Sequence, residues 1–351
     1  MKLSTLYLLC GDPDQFRRAK AIKNVLIGRR TVSNLYWGLE YDLLSYFGVL
    51  RNFSLGDEQA TIDALVRAKM VIVDEGLLYK LTPEGQDKKQ ELSNSLGATK
   101  ELTTVVKYDI VRFSRRFIFA AQVISEYSYA NSQYYPQTIG FFDDQLIKRW
   151  FIQNKERQLP QYFHDLLENF LTSLNSDLLA NIFVQSLSGH KFSGETEEQI
   201  ATETGLDPTI VQLQWLKLYA KLFLQLHDDR LTPLKLLLSD LERPVMSKSA
   251  QQTFDLFISQ NKFNPAKIAQ VRGIKLTTVL EHLLEAAIIQ PRGQFPFDRL
   301  LTSSLKTKLR DNQSKVDGEW QFQDAKAHIP ELQFFQFRLF QILERKLGQN
   351  D

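Results

Sequence analysis

Between Lys262 and Arg310 the chain carries nine basic side chains, Lys262, Lys267, Arg272, Lys275, Arg292, Arg299, Lys306, Lys308 and Arg310, against three acidic ones, Glu281, Glu285 and Asp298. Cations such as Lys267, Arg272, Lys275 and Lys306 can neutralise phosphate, and Thr277, Thr278 and His282 are short enough to approach base edges in a groove. The chemistry they suit is non-covalent: weak, salt-sensitive and nearly sequence-independent contact with DNA. Catalytic patterns are missing elsewhere. No glycine opens a GxxxxGKS/T run, and no GxGxxG follows a predicted strand. The five histidines, His164, His190, His227, His282 and His328, stand apart, with no CxxC or HExxH, so no metal site is expected. There is no GxSxG, and Cys10 has no base near it in sequence. The pairs Asp143-Asp144 and Asp228-Asp229 read as helix N-terminal charges rather than metal ligands. These residues predict a protein that is not an enzyme, takes no cofactor and binds no small-molecule substrate.

The elements that must hold the cations are legible between Asn264 and Ala287. Asn264 can cap a first helix, with Pro265 where a missing N–H costs nothing. Ala269 is small enough for a second helix to cross it, and Gly273 suits a tight turn with positive φ. Ile274, Val279 and Leu283 then bury one face, which turns Lys275, Thr277, Thr278, Glu281 and His282 outward. That pattern is a helix-turn-helix, whose second helix enters a groove.

From about Ser249 to about Arg310 the chain resembles the helicase helix-turn-helix family, the C-terminal module of many bacterial RecQ-type DNA helicases. Thr253, Leu256, Phe257, the Ile268-Ala269 pair, Arg272-Gly273, Thr277-Thr278-Val279 and Glu281-His282-Leu283 carry the resemblance. Asn261-Lys262-Phe263 stands where that module often has a glycine. The whole chain also resembles the stand-alone YpbB-like proteins of Firmicutes, which end in this module and are encoded beside a RecQ-like helicase. The resemblance implies an accessory in DNA repair or recombination, with a RecQ-like DNA helicase as partner and supplier of any unwinding.

The motif recurs. At an offset of 68 residues Ile200, Ala201, Gly205, Leu206, Thr209, Val211 and Trp215 repeat Ile268, Ala269, Gly273, Ile274, Thr277, Val279 and Leu283. From Gly194 to Arg230, however, seven acids face three bases. Phosphate repels such a surface, so the earlier copy is expected to contact protein or to pack.

Toward the N-terminus, Leu3–Leu9 reads as a short buried segment, followed by a turn and a helix bearing Arg17, Arg18, Lys20 and Lys23. Leu35, Leu39, Leu43, Leu44 and Phe47 suggest one or two short helices, and Ser54 can cap another through Ile62, Leu65 and Val66. Met70–Asp74 and Leu77–Leu81 then form a hairpin about Glu75-Gly76, and Thr82-Pro83-Glu84 restarts a helix. The order resembles a winged helix, whose candidate recognition helix opens on acidic Asp57 and Glu58 and so favours protein contact or scaffolding.

In the middle, Val106, Ile110, Phe113, Phe117, Ala120 and Ile124 make one helical stripe, with Arg112, Arg115 and Arg116 on a solvated side, contact with phosphate or an acidic partner being the alternative. Tyr127, Tyr129, Tyr134, Tyr135, Phe141 and Phe142 are expected in a helical core, base stacking being the alternative. Helices are predicted over Asp143–Phe151 and from Leu159 to Leu187. A last helix carries Leu332, Phe335, Leu339 and Ile342 toward the core.

The expected fold is mainly α, with tandem helix-turn-helix units and an N-terminal winged-helix-like domain bearing one β-hairpin. Expected boundaries are 1–92, 100–190, 193–243, 249–310 and 318–351. With one cysteine no internal disulfide forms, and a reducing compartment follows. The start LSTLYLLCGD lacks the features of a lipoprotein signal, and no apolar run nears ~18 residues, so a cytoplasmic protein with no membrane contact is expected. Function narrows to a non-enzymatic accessory that binds DNA or docks on a helicase. The alternatives are a transcription regulator reading an operator with both units, and a protein adaptor without DNA contact.

Overall fold

Eighteen α-helices and one three-stranded sheet make up the computed structural model, which describes residues 1–74, 77–155, 158–229, 232–259, 264–315 and 320–348. Glu75-Gly76, expected as the hairpin turn, Asn261-Lys262-Phe263 and Arg230 lie outside the described residues. The chain divides into two units, Met1–Gly28 with Ser45–Arg243, and Arg29–Leu44 with Pro244–Asp351.

The first unit begins with α1 (Leu3–Cys10), β1 (Arg17–Arg18), α2 (Ala19–Leu26), α4 (Glu58–Arg67), β2 (Val71–Asp74), β3 (Leu78–Leu81) and α5 (Pro83–Leu96). Leu3–Cys10 is thus helical, and Arg17-Arg18 form a short strand before the helix expected to contain them. The sheet order is β1-β3-β2, all antiparallel, with Arg17 opposite Tyr79 and Val71 opposite Leu81. Tyr79 ties it to α1 through a hydroxyl donated to the Tyr7 carbonyl at 2.8 Å. The cap of α4 is Asp57, whose carboxylate accepts from the Ala60 N–H at 2.8 Å, not Ser54.

The unit continues with α6 (Leu102–Lys107), α7 (Ile110–Ser128), α8 (Phe141–Asn154), α9 (Leu159–Thr172), α10 (Asp177–Gln185), α11 (Glu197–Thr204) and α12 (Pro208–Asp228). The stripe read as one helix is two, because Asp109 caps α7 by accepting from the Arg112 N–H. Val106 therefore belongs to the preceding helix. At the centre lies α12, packed on α5, α6, α7, α10 and α11. Phe113, Phe117, Phe183, Tyr219 and Phe223 meet around it with ring centroids 5.1–6.4 Å apart, within the range of favourable aromatic contact.

Two expectations fail in this unit. Arg116 is not solvated: it is 1% exposed and donates to Asp143 Oδ1 at 2.7 and 2.9 Å and to the Leu237 and Ser239 carbonyls at 3.0 and 2.7 Å. A guanidinium can be buried only when its donors are met, and Asp143 with two carbonyls meets them. Arg112 shares the same carboxylate. The aromatic tract is not core: Tyr127, Tyr129, Tyr135, Phe141 and Phe142 are exposed and Tyr134 is half-buried, and on α8 it is Leu146, Ile147 and Trp150 that fill the inner side. Asp143 and Asp144 do sit in the first turn of α8, whereas Asp228 ends α12 and Asp229 caps its C-terminus.

The second unit consists of α3 (Val32–Glu40), α13 (Lys248–Ser259), α14 (Pro265–Arg272), α15 (Leu276–Ile289), α16 (Ser303–Gln313), α17 (Phe322–His328) and α18 (Phe334–Gly348). Residues 29–44, placed by sequence order within 1–92, join this unit because Leu35, Tyr36 and Leu39 of α3 are buried where α3 packs on α15 and α18. Buried Glu285 pins the same segment, accepting from Arg30 at 3.1 Å and from the Ser247 N–H at 2.7 Å. Phe335, Leu339 and Ile342 of α18 enter the core as their spacing predicts, Leu332 is buried just before the helix begins, Phe337 and Phe340 beside the stripe are buried as well, and Phe334 stays exposed.

Candidate nucleic-acid interface

Asn264 caps α14 by accepting from the Lys267 N–H at 2.8 Å, with Pro265 in the first turn. Gly273 ends that helix at φ 64°, ψ 33°, the left-handed conformation its position requires. The chain then turns into α15, whose Val279 and Leu283 are fully buried. Beyond Leu283 the helix is sunk through Ile288 against α13, α18 and α3. Its first turns project: Lys275 and Thr277 are exposed and Thr278 half-buried, with Lys267 exposed on α14.

The earlier copy has the same local build and the opposite fate. Thr196 and Gln199 form a capping box on α11, and Gly205 turns the chain at φ 70°. Yet Thr209, Val211, Leu213 and Gln214, in the opening turns of α12, are all buried. Thr209, the counterpart of Thr277, is 0% exposed and accepts from the Lys2 N–H at 2.7 Å.

The seven residues singled out on charge and spacing divide into three groups. Lys267, Lys275, Thr277 and Thr278 share the rim formed by α14 and the start of α15. Arg272 is turned inward onto α13, donating to the Ser249 carbonyl at 2.8 Å, to Gln252 Oε1 at 3.0 Å and to Thr253 Oγ1. His282 lies in that bracket, its Nδ1 2.8 Å from Thr253 Oγ1. Burial, with the Arg272 charge beside it, holds its imidazole below the usual histidine value. Lys306 stands apart on α16 with Nζ 2.5 Å from Asp298 Oδ1.

Part of the basic surplus is met nearby. Arg299 lies over the Phe257 ring at 4.0 Å, Arg310 pairs with Glu344 at 2.7 Å, and Lys308 stands 3.9 Å from Glu331. The field that reaches solvent is therefore smaller than the residue count predicts, and exposed Lys267 and Lys275 contribute to it. Beside them Val271 and Leu276 are 53% and 45% exposed, an apolar rim. Spacing alone would not have revealed it, since Val271 stands three residues after Ile268 and Leu276 three before Val279, both positions compatible with the buried stripe.

Residues 249–341 match a family model described as a helix-turn-helix domain. The match extends past Arg310, the expected end of the module, into α18. Protein YpbB of Bacillus subtilis (strain 168) is 22% identical over 319 residues, covering 85% of this chain and 87% of that relative. No solved structure matches.

Outside this module, Cys10 is buried and its thiol is pushed up to about 11 by that burial, so it stays protonated near neutral pH. His164, Asp165 and Glu168 are the one group among the described residues whose ligand atoms lie within 4.8 Å of one another, on the exposed side of α9. Among the described residues no helix is long and apolar enough to cross a membrane.

Proposed function

We propose that this chain is a non-enzymatic accessory that presents the opening turns of α15 to DNA or to a helicase, in DNA repair or recombination in the cytoplasm. One observation carries the reading. The same motif occurs twice, and only in the second copy do the opening turns of the second helix stand in solvent, with Lys275 and Thr277 exposed there and Lys267 exposed beside them on α14. The helix-turn-helix match and the likeness to YpbB support a DNA-binding or helicase-associated role. The basic module in 249–310, supported by 318–351, is the working part. The N-terminal winged-helix-like region within 1–92, the helical 100–190 and the acidic unit 193–243 hold or present it. A RecQ-like helicase is the partner the module's resemblance implies.

Two cations that project without acidic partners among the described residues favour weak, salt-sensitive and sequence-tolerant DNA contact, while exposed Val271 and Leu276 favour protein docking. The burial of α12 counts against an operator reader, which needs both second helices accessible. Titrating the full chain into a random-sequence duplex and into a purified RecQ-like helicase tests the reading. Binding to either is expected, and binding to neither overturns it. Selection from a random duplex pool should enrich no motif; an enriched one would favour transcription regulation.

A further inference from the structure

The outer face of α8, in the first unit, pairs aromatic rings with cations. Phe141 and Phe142 are 71% and 81% exposed, and Ile152 is exposed on the same side. Tyr135, in the segment that leads into the helix, is 97% exposed. Phe141, Gln145, Lys148 and Ile152 recur at four- and three-residue spacing, with Phe142 and Arg149 beside them, so all six share one face. Leu146, Ile147 and Trp150 supply the inner stripe, so the outer apolar residues are surplus to the core.

This face lines a continuous track. A depression bordered by Phe142, Arg149 and Arg112 adjoins a second bordered by Lys148, Ile152 and Gln153, the two sharing Gln145 and Arg149. A third, bordered by His227 and Lys235, shares Gln153 with the second. The fourteen residues of α8 set the length at about 21 Å. Its charge is positive: among the described residues Lys148 and Arg149 have no acidic partner, and Asp143 is already held by Arg112 and Arg116. Asp240 borders the track, and Asp144, half-buried in the first turn of α8, accepts from the Ile139 N–H at 2.9 Å.

We infer that the α8 face is a binding track for single-stranded nucleic acid, separate from the α15 rim. A strand with unpaired bases offers flat ring faces beside anions, which is the complement of Phe141 and Phe142 at the start of α8 with Lys148 and Arg149 about two turns further on. A duplex keeps its base faces stacked on each other and cannot offer them. An acidic peptide meets the cations but leaves the rings without flat partners.

The test uses the full chain and short fluorescein-labelled oligo-dT and oligo-U, followed by anisotropy across a salt series. Phe141→Ala with Phe142→Ala should weaken binding about tenfold or more, the loss of at least one stacked base. Lys148→Gln with Arg149→Gln should flatten the slope of log affinity against log salt by about 1.4, two single-strand phosphate contacts. In a Lys267→Gln with Lys275→Gln background, which removes the phosphate contacts of the α15 rim, the losses caused by the α8 substitutions should persist undiminished, which separates this site from the rim. Binding of either oligonucleotide with those losses supports the inference, and any difference between them identifies the preferred strand. It is overturned if neither oligonucleotide binds, if the double alanine variant binds like the parent, or if a polyglutamate peptide binds as tightly as the oligonucleotides.

Discussion

Replacing Lys267 and Lys275 together by glutamine isolates the electrostatic part of duplex binding at the α15 rim. Both side chains are exposed, they lie on either side of the Gly273 turn, and neither has an acidic partner among the described residues. Glutamine keeps much of their length and removes only charge. Each phosphate contact to a duplex contributes about 0.9 to the slope of log affinity against log salt, so losing two should flatten that slope by about 1.8. Between about 50 and about 200 mM salt, a fourfold change, the parent should lose about twelvefold more affinity than the variant, and the two curves should converge at the salty end. Anisotropy of a labelled random duplex measures this directly. Lys306→Gln is the internal control: its ammonium is 2.5 Å from Asp298 and its side chain 18% exposed, so its slope should change by less than half of one contact. Equal slopes for the double variant and the parent, or a flattening by Lys306→Gln as large as that of the pair, would refute the placement of the rim.

Four further outcomes follow from the packing. Gly273→Ala and Gly205→Ala should each cost about 1–2 kcal/mol in urea unfolding, because both positions are left-handed while nothing crowds an added Cβ; asparagine at either site should cost less. His282 has its folded pKa lowered by burial and by Arg272, so the unfolded chain takes up the proton first as pH falls. Stability should therefore drop as pH falls from the ordinary histidine value toward the folded one, and His282→Gln should remove that part of the pH dependence of the unfolding midpoint. Arg116→Met should destabilise the fold by about 3 kcal/mol in urea unfolding, the low end for a broken buried pair, since Arg112 still holds Asp143. Burial raises the Asp143 carboxyl, but the hydrogen bonds from Arg112 and Arg116 outweigh it and hold it below the usual carboxylate range. The contribution of Asp143 is thus present above the ordinary carboxylate value and lost as pH falls through the lowered one, and Asp143→Asn should flatten that acid limb.

What was legible beforehand is local in cause. The Asn264 cap, the left-handed Gly273, the buried Val279 and Leu283 and the repeat at 200–215 all follow from neighbours within about a helical turn or two, which the order of residues specifies. The mainly helical fold and the β2–β3 hairpin flanking Glu75-Gly76 follow from periodicity in the same way. Exposure does not. Nothing in the order of residues says that Arg116 will meet a carboxylate on another helix 27 residues away, or that Glu285 will be reached by Arg30 across 255. Those pairings turn a predicted solvated arginine into a core residue and carry residues 29–44 into the second unit.

The same cause separates the two helix-turn-helix copies. Their helices, turns and buried anchors are encoded alike, and charge alone distinguishes them along the chain. Whether a helix becomes a surface or a core depends on what packs over it, and that is a sum of distant apolar contacts no local pattern contains. In the first copy five helices close over α12; in the second, α13, α18 and α3 cover the far end of α15 and leave its first turns in water.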